Sequence, residues 1–337
     1  MLKIGIVGLH FGSYGLLPAF RKDNRCSVIA IAGSSLMSSR AAAEKFGIPE
    51  GLMWPNLVDT ADVVAIAVPP LVQEIIIDYA SSLGKPVFAE KPLASSLVQA
   101  EHLASKMKAR NIPGVVDFIF PQLIVWQNAK SLLDSGYIGI PMSVNAEWSL
   151  HSYDHKNSIS TWKTETGSGG GVLAHFGSHC LYYLEWLLGQ VESIAAVTYR
   201  PDGYKNTGET SVSLQIVFES GVIGTLLVSS NCPSVACHRV SIMGTDGKIV
   251  IENKSDSPVH GFKLAASNRQ SSCMLEEPEV IGIDCRVAPV HRLATKFIDW
   301  VLGGQPARPD FQDGSRVQKL IDVAIGIANK DYRGRTK

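Results

Sequence analysis

Lys91 is the residue whose type and position most directly suggest chemistry. It ends the stretch Val-Phe-Ala-Glu-Lys, just before Pro92, where a short apolar run predicts a buried strand. The pKa of a lysine falls readily on burial, and open α/β sheets bind ligands at the carboxyl ends of parallel strands. Lys91 is therefore a candidate proton donor or acceptor. The alternative is a solvated lysine that closes the strand in a salt bridge with Glu90.

A glycine-bearing turn after the first predicted strand has the composition of a phosphate-binding loop. Gly8 occupies the first glycine position of a dinucleotide-binding fingerprint, and Gly12 lies one place before the third. His10 and Ser13 replace the other two glycines. The turn opens a predicted helix, whose N-terminal N–H groups attract phosphate. A purely structural turn is the alternative. We predict cofactor contacts from four residues of this turn: Gly8, His10, Phe11 and Gly12.

The end of the second predicted strand indicates which nicotinamide cofactor the chain prefers. An acidic residue at this position would bind the ribose 2′-hydroxyl of NAD. This chain has Ser34 and Ser35 instead, followed by Arg40, with no carboxylate before Glu44. Hydroxyl groups and a guanidinium suit a 2′-phosphate. We therefore predict that NADP(H) is favoured over NAD(H). The alternative is that Arg40 is a solvated helix residue.

Two pairs of histidines, each with a spacing of four residues, suggest a metal site at first sight. They are His151 with His155 and His175 with His179. No cysteine lies nearby to supply a thiolate, so we interpret all four as structural or substrate-binding residues and predict no metal site. A second apparent ligand cluster lies in a strand context that favours packing: Cys232, Cys237 and His238.

The elements that position these residues alternate between strand and helix over the first 120 residues. The predicted strands are Lys3–Val7, Ser27–Ala32, Ala61–Val68, Pro86–Ala89 and Val115–Phe118. One predicted helix follows the glycine turn and runs towards Phe20. The other predicted helices cover Ser39–Phe46, Val72–Ser82 and Ser96–Arg110. This alternation predicts a doubly wound parallel sheet.

Beyond Pro121 the pattern changes to long strand-like runs separated by turn signals, which predicts an antiparallel or mixed sheet. The predicted strands are Met142–Trp148, Ser193–Tyr199, Ser211–Phe218, Gly221–Ser229, Arg239–Gly244 and Lys248–Glu252. Helices are predicted over Gln122–Leu133, His175–Leu188, Val290–Leu302 and Ser315–Asn329, the second and third covering the sheet. The fold class is therefore α/β: an N-terminal Rossmann domain (1–120), then an α/β domain (121–337) with a mostly antiparallel open sheet.

The composition is that of a compact globular protein, with 337 residues of which 45% are hydrophobic. Lys plus Arg and Asp plus Glu number 31 each, so no net charge favours nucleic acid or an anionic membrane. The start lacks signal-peptide features, and no apolar run is long enough for a membrane span. The six cysteines are scattered, which favours free thiols in a reducing cytoplasm.

In combination, these motifs resemble the glucose–fructose oxidoreductase, inositol dehydrogenase and rhizopine-catabolism (Gfo/Idh/MocA) family. The resemblance implies a Rossmann domain followed by an open-sheet domain, with substrate and nicotinamide meeting between them. It also implies that Lys91 donates or accepts a proton at the reacting oxygen. We accordingly assign Pro69, Glu90, Lys91 and Trp162 to the cofactor site. The matching segments are residues 67–70, 90–92, 136–139, 160–163, 169–171, 176–179 and 313–314.

The sequence departs from the family pattern at His175. Many members have an aspartate there, four residues before the histidine that matches His179. Positions four apart share a face of a helix, so both imidazoles are expected to point into the cleft. A pocket without that carboxylate would suit an anionic, nucleotide-linked or imine substrate. We assign catalytic roles to Lys91, His179 and His175.

The predicted function is an NAD(P)(H)-dependent oxidoreductase that transfers hydride to or from a sugar-like hydroxyl or carbonyl group. Lys91 would handle the proton, and His179 would orient the substrate oxygen or share the transfer. Two alternatives stay open at this point: a catalytically idle NADP-binding regulatory protein, and an imine reductase on the same fold. The expected partners are a small-molecule substrate and further copies of the chain, with neither nucleic acid nor membrane.

Overall fold

The structure, a computed structural model, describes residues 1–201, 205–279, 282 and 284–334, with residues 329–334 described by their backbone alone. The chain divides into two compact units. The first consists of Met1–Ile119 and Ile281–Gln318, and the second of Phe120–Val280 and Lys319–Lys337. Within the described ranges, no helix is long and apolar enough to cross a membrane.

The first unit contains a parallel sheet. Its described strands are β1 (Leu2–Val7), β2 (Cys26–Ala32), β3 (Glu50–Leu52), β4 (Val63–Ile66), β5 (Val87–Ala89) and β6 (Gly114–Val116). They lie in the order β3-β2-β1-β4-β5-β6, and every neighbouring pair is parallel. This order confirms the predicted doubly wound Rossmann sheet. The order in which successive strands are added reverses between β1 and β4, and sheets of this type bind their ligands at that point.

Helices pack against the strands of this sheet. Those that precede β6 are α1 (Leu17–Arg21), α2 (Leu36–Phe46), α3 (Trp54–Thr60), α4 (Pro70–Ser82) and α5 (Leu97–Ala109). α1 and α2 pack on β2, α3 packs on β1, and α4 packs on β5. All four residues of β4 are buried, as is typical of a parallel strand that is covered on both faces. The sheet therefore forms the middle layer of the unit. Helices cover its faces, so a ligand site is expected at the carboxyl ends of its strands.

The second unit contains a mostly antiparallel sheet. Its described strands are β7 (Pro141–Ser149), β8 (Val191–Tyr199), β9 (Ser211–Phe218), β10 (Ile223–Ser229), β11 (Cys237–Gly244), β12 (Gly247–Asn253), β13 (Lys263–Asn268) and β14 (Ser272–Glu276). Their order is β14-β13-β12-β11-β7-β10-β9-β8, and among these pairs only β7 with β10 is parallel. This confirms the predicted sheet type.

Helices of the second unit include α6 (Ile124–Asp134), α7 (Tyr153–Lys156) and α8 (Ser178–Leu188). α6 packs on β12 and β13. Buried and more accessible residues alternate along β9, as expected for a sheet that is covered on one face. The residues that point inward on β9 are Val212, Leu214, Ile216 and Phe218.

The helix α9 (Val287–Val301) belongs to the first unit, whereas the sequence pattern placed it on the second sheet. It packs on α1, and His291 Nδ1 lies 2.9 Å from the carbonyl oxygen of Ala19. The ring of Phe297 contacts that of Phe88 edge to face, with the ring centroids 5.9 Å apart. The sequence shows that this helix has an apolar face, but the spacing of apolar residues does not say which partner covers it. The last helix, α10, spans Phe311–Gly334.

Candidate functional site

Gly8 follows β1 directly, at the point where the strand order of the parallel sheet reverses. Its φ is +115°, and a Cβ added there would lie 2.1 Å from the carbonyl oxygen of Ala67, which follows β4. Any other residue would collide with that backbone, so glycine is required for the close approach. A turn of this kind after the first strand is what a dinucleotide pyrophosphate needs. The residues present therefore fit the pyrophosphate of a dinucleotide.

Gly12 brings the following helical turn close to the sheet. It is buried, and a Cβ added there would lie 3.1 Å from Cγ2 of Ile6 in β1. In the dinucleotide fingerprint, the third glycine serves this close helix–strand packing, so Gly12 takes that role one place early. The exposed His10 stands at the turn itself, and its carbonyl oxygen accepts the N–H groups of Ser13 and Tyr14 at 3.0 and 3.2 Å.

Phe11 is covered by an arginine that the sequence did not single out. The guanidinium carbon of Arg286 lies 4.3 Å from the centroid of the Phe11 ring, a cation–π contact. Asp284 holds the guanidinium through two hydrogen bonds, from Nε at 2.9 Å and from Nη2 at 2.6 Å. Arg286 therefore places positive charge beside the glycine turn that contains Gly8 and Gly12, called the cofactor turn below. Because it is far away in sequence from that turn, only the fold reveals this proximity.

The three residues predicted to select the cofactor differ in what their side chains do. Ser35 is the N-cap of α2, and its hydroxyl oxygen accepts the N–H of Ser38 at 3.1 Å. The Ser38 hydroxyl oxygen in turn accepts the N–H of Ser35 at 3.1 Å, which completes a capping box. Ser34 and Arg40 are both exposed. Ser35 thus stabilises the helix, whereas Ser34 and Arg40 present their side chains to solvent.

Lys91 lies in the loop that follows β5, and its side chain is half-buried. The N–H of Glu90 donates to the carbonyl oxygen of Ile66 at 3.0 Å, which extends the pairing of β5 with β4. Pro69, after β4, is the N-cap of α4. The cofactor turn after β1 and the Lys91 loop after β5 are separated by one strand, which corresponds to about 10 Å. The fold thus brings the two predicted motifs of the first unit to one edge of the sheet.

Asp117 is a further buried carboxyl group at this edge. It directly follows β6 and is 2% exposed, and its N–H donates to the carbonyl oxygen of Ala89 at 2.8 Å. Burial raises the pKa of the Asp117 carboxyl well above its usual range, and the charge of Glu90 and a hydrogen bond with it raise it further. Sequence reasoning missed this residue. The available signal was an acidic residue inside the predicted strand Val115–Phe118.

Replacing Asp117 with asparagine is expected to increase the free energy of unfolding at neutral pH. The raised pKa means that native Asp117 keeps a proton that the unfolded chain releases above about pH 3.9. The native protein therefore loses stability as pH rises from that value towards the native pKa, whereas the asparagine side chain of the variant does not titrate. We expect a gap in the free energy of unfolding at neutral pH that closes towards pH 4, which urea unfolding across this pH range measures. A gap that is independent of pH would contradict the raised pKa.

His175 and His179 have different surroundings in the second unit. His175 lies in a π-helical turn and makes an edge contact with Trp162, with the ring centroids 5.8 Å apart. His179 lies in the first turn of α8 and is 7% exposed. Its ring contacts that of Phe120 edge to face at 5.1 Å and lies 6.1 Å from that of Trp148. Thus Trp162 and His175, which were predicted from separate segments, lie together in the structure.

A small cavity of the second unit contains His175 in its lining. Asp154 is buried there, and its Oδ2 accepts a hydrogen bond from the Thr161 hydroxyl at 3.3 Å. Burial lowers the pKa of His155, which favours a neutral imidazole near pH 7. The lining thus combines a cation, a carboxylate, hydroxyl groups and imidazoles around a volume of about 10 Å³, which is room for about one water molecule. The polar lining residues are Ser152, Asp154, His155, Lys163, Thr164, His175 and Ser230.

His238 packs in the core of the second unit, as its strand context predicted. It is buried, and its ring stacks on that of Trp148 at 4.3 Å with an interplanar angle of 9°. His151 pairs with Asn231 in an isolated β-bridge. Within the part of the chain that the structure describes, no group of three or more His, Cys, Asp or Glu is arranged to hold a metal ion.

The doubly wound sheet and its glycine turn define a dinucleotide-binding protein of the Rossmann class, followed by a second α/β unit. Residues 2–117 match the family described as "Oxidoreductase family, NAD-binding Rossmann fold". Residues 126–250 match the GFO/IDH/MocA C-terminal domain. The chain belongs to the Gfo/Idh/MocA family of oxidoreductases, as the resemblance indicated.

Relatives match over nearly the whole chain. An oxidoreductase of Synechocystis sp. is 25% identical, over 96% of this chain and 92% of its own. Inositol 2-dehydrogenase of Burkholderia vietnamiensis is 27% identical, over 96% of this chain and 93% of its own. Among solved structures, levoglucosan dehydrogenase in complex with NADH and levoglucosan has a TM-score of 0.87 at 21% identity, over 98% and 97% of the two chains. The last similarity shows a shared fold.

Proposed function

We propose that this oxidoreductase transfers hydride between a nicotinamide cofactor and a sugar-like hydroxyl or carbonyl group. The observation that carries the proposal is the position of Lys91 after β5, at the same sheet edge as the Gly8 turn. A bound nicotinamide would supply or accept the hydride. Lys91 would donate or accept the proton at the reacting oxygen. Names of relatives support the substrate class, since inositol and levoglucosan are cyclic and rich in hydroxyl or ether oxygen.

We further propose a division of labour between the two units. The first would bind the cofactor through Gly8, Gly12 and neighbouring residues, and the second would bind the substrate. Within the second unit, the rings of His175 and Trp162 contact each other, which supports substrate contacts from both side chains. His179 would orient the substrate oxygen or share the proton transfer. We also propose a homo-oligomer, which light scattering of the purified protein would test.

The test of the proposed activity is an absorbance assay for nicotinamide reduction. The purified full chain is incubated with NADP⁺ or NAD⁺ and with levoglucosan, myo-inositol and a panel of aldoses. Turnover with at least one member of the panel is the expected result. Cofactor binding without turnover across the panel, in both reaction directions, would instead support the regulatory alternative. Oxidation of NADPH or NADH by added cyclic imines, without turnover of the sugar panel, would identify an imine reductase.

The proposal includes a preference for NADP(H). Ser34 and Arg40 are exposed after β2 and on α2, and the first carboxylate beyond β2 is Glu44, on the last turns of α2. A guanidinium can pair with a 2′-phosphate through two charged hydrogen bonds. Such bonds contribute on the order of 1.5–3 kcal/mol, which corresponds to about a tenfold to a hundredfold difference in affinity. Ser35 is less suited to this role, because its hydroxyl caps α2.

Arg40→Ala is expected to remove most of the preference for NADPH over NADH. In calorimetric titrations, the native protein should bind NADPH about ten to a hundred times more tightly, and the variant should bind both cofactors similarly. Arg110→Ala is the matched control, because Arg110 donates to the carbonyl oxygen of Ser82 at 2.8 Å, in the same unit. Equal affinities in the native protein would show that Arg40 is only a solvated helix residue.

A further inference from the structure

The loop between β5 and α5 carries Lys91 outside any strand or helix. Pro92 and Leu93 are buried, so their carbonyl groups lie away from water and outside the hydrogen-bond ladders of regular structure. Buried backbone carbonyl groups are nearly always hydrogen-bonded. Some other part of the first unit must therefore supply donors to this loop, and the donor that it uses will fix the path of the backbone on both sides of Lys91.

Gln73 of α4 is that donor. Its Nε2 lies 2.7 Å from the carbonyl oxygen of Glu90, 3.0 Å from that of Pro92 and 3.2 Å from that of Leu93. All three neighbours are acceptors, so the amide nitrogen, and not the amide oxygen, must face the loop. Gln73 is 1% exposed, which keeps competing water away from these bonds.

Two further observations on α4 support a role of Gln73 in holding the loop that contains Lys91. The N–H of Ser95 donates to Oε1 of Glu74, so adjacent helix residues bind the loop before and after Lys91. Among the described residues, Oε1 of Gln73 has no hydrogen-bond partner. A buried polar atom without a partner lowers stability, so Gln73 is not explained as a residue that merely optimises packing.

We propose that Gln73 is a positioning residue for Lys91. It fixes the backbone carbonyl groups that flank Lys91 and thereby holds the Lys91 ammonium where the proton is transferred. The proposal rests on the acid–base role proposed for Lys91. Misplacing a catalytic group by about 1 Å can reduce the rate about a hundredfold. Loss of the Gln73 amide is therefore expected to affect kcat while leaving the affinity for the cofactor unchanged.

A double-mutant cycle tests this proposal. Gln73→Met, which replaces the amide by an apolar group of similar length, is made in the native chain and in Lys91→Ala. Turnover is measured with saturating cofactor and whichever substrate of the panel above gives the highest rate. We expect kcat to fall about tenfold to a hundredfold in the native background and by less than about twofold where Lys91 is already absent. Equal losses in both backgrounds would overturn the proposal.

Two further variants keep the result interpretable. Gln312→Met is the matched control, because Gln312 Nε2 also donates to a backbone carbonyl oxygen of the first unit, that of Ala104 at 2.9 Å. Its kcat should stay within about twofold of the native value. Gln73→Asn serves if Gln73→Met does not fold. It keeps the amide but shortens its reach by one methylene, so kcat should fall, again only when Lys91 is present.

The failure of this proposal is distinct from the failure of the proposed function. If Lys91→Ala alone keeps native turnover, the acid–base role is wrong, and the positioning role of Gln73 is wrong with it. If Lys91→Ala loses turnover while Gln73→Met and Gln73→Asn both keep it, the proposed function stands and only the positioning role is overturned.

Discussion

Replacing Lys91 with alanine is expected to reduce kcat at least about a hundredfold, because general acid–base catalysis typically contributes that much. The dissociation constant of the cofactor should change much less than kcat, although Lys91 is assigned to the cofactor site, because the glycine turn supplies the pyrophosphate contacts. The glycine turn after β1 is separated from the Lys91 loop by β4, so the pyrophosphate contacts do not depend on this side chain. The measurement is steady-state turnover together with calorimetric titration of the cofactor. A loss in kcat without a matching loss in cofactor affinity is the signature of a group that acts in the transition state.

Lys85→Ala is the matched control for this experiment. Lys85 lies shortly before β5, and its ammonium donates to the carbonyl oxygen of Ala61 at 2.7 Å, so its removal perturbs the same unit without touching the Lys91 loop. Lys85→Ala should unfold at a lower denaturant concentration but keep native turnover. If Lys91→Ala lost less than about tenfold, or if both variants lost turnover equally, Lys91 would not be the acid–base group.

The sequence predicted the elements of the fold where the apolar pattern was long and continuous. β9 was predicted with its observed bounds, and β4 and α4 were predicted within a few residues. The strand β3 was missed because it has three residues, one of them a glycine and none of them buried. The strand β14 was missed because none of its residues is buried, so no alternation between the core and solvent marks it. Position at a sheet edge does not explain these misses by itself, because the edge strands β6 and β8 were predicted and the interior strand β13 was missed.

The candidate site was predictable only where a local motif marks it. Lys91 and Gly8 stand in recognisable segments directly after strands. Gln73, Asp117 and Arg286 have no such segment, and their positions depend on contacts between distant parts of the chain. A glutamine on an apolar helix resembles any solvated residue until the loop packed against it is known. Burial and the identity of the packing partner, which a single sequence does not contain, separate these residues from ordinary polar ones.

His238 is expected to make the protein sensitive to acid. The imidazole is buried between Trp148 and other aromatic side chains, and Nε2 lies 3.1 Å from the Tyr183 hydroxyl oxygen. Burial lowers the pKa of His238 to about 3, compared with about 6.5 in the unfolded chain. Between these values, the unfolded chain binds a proton that the native protein does not, so stability falls as pH falls. This single group should account for about 3 kcal/mol between pH 6.5 and pH 4.

Replacing His238 with phenylalanine separates this titration from packing. Phenylalanine keeps an aromatic ring against Trp148 but removes one partner of the Tyr183 hydroxyl, which keeps its hydrogen bond with Cys180, so the cost is about 0.5–1.5 kcal/mol at every pH. The pH-dependent part should vanish, so His238→Phe should lose less stability than the native chain as the pH falls below about 6.5. Urea unfolding across this range measures both effects. His102→Phe is the control, because the His102 side chain is 56% exposed and its removal should leave most of the slope unchanged. If His238→Phe kept the native slope, the buried imidazole would not be the group that acid protonates on unfolding.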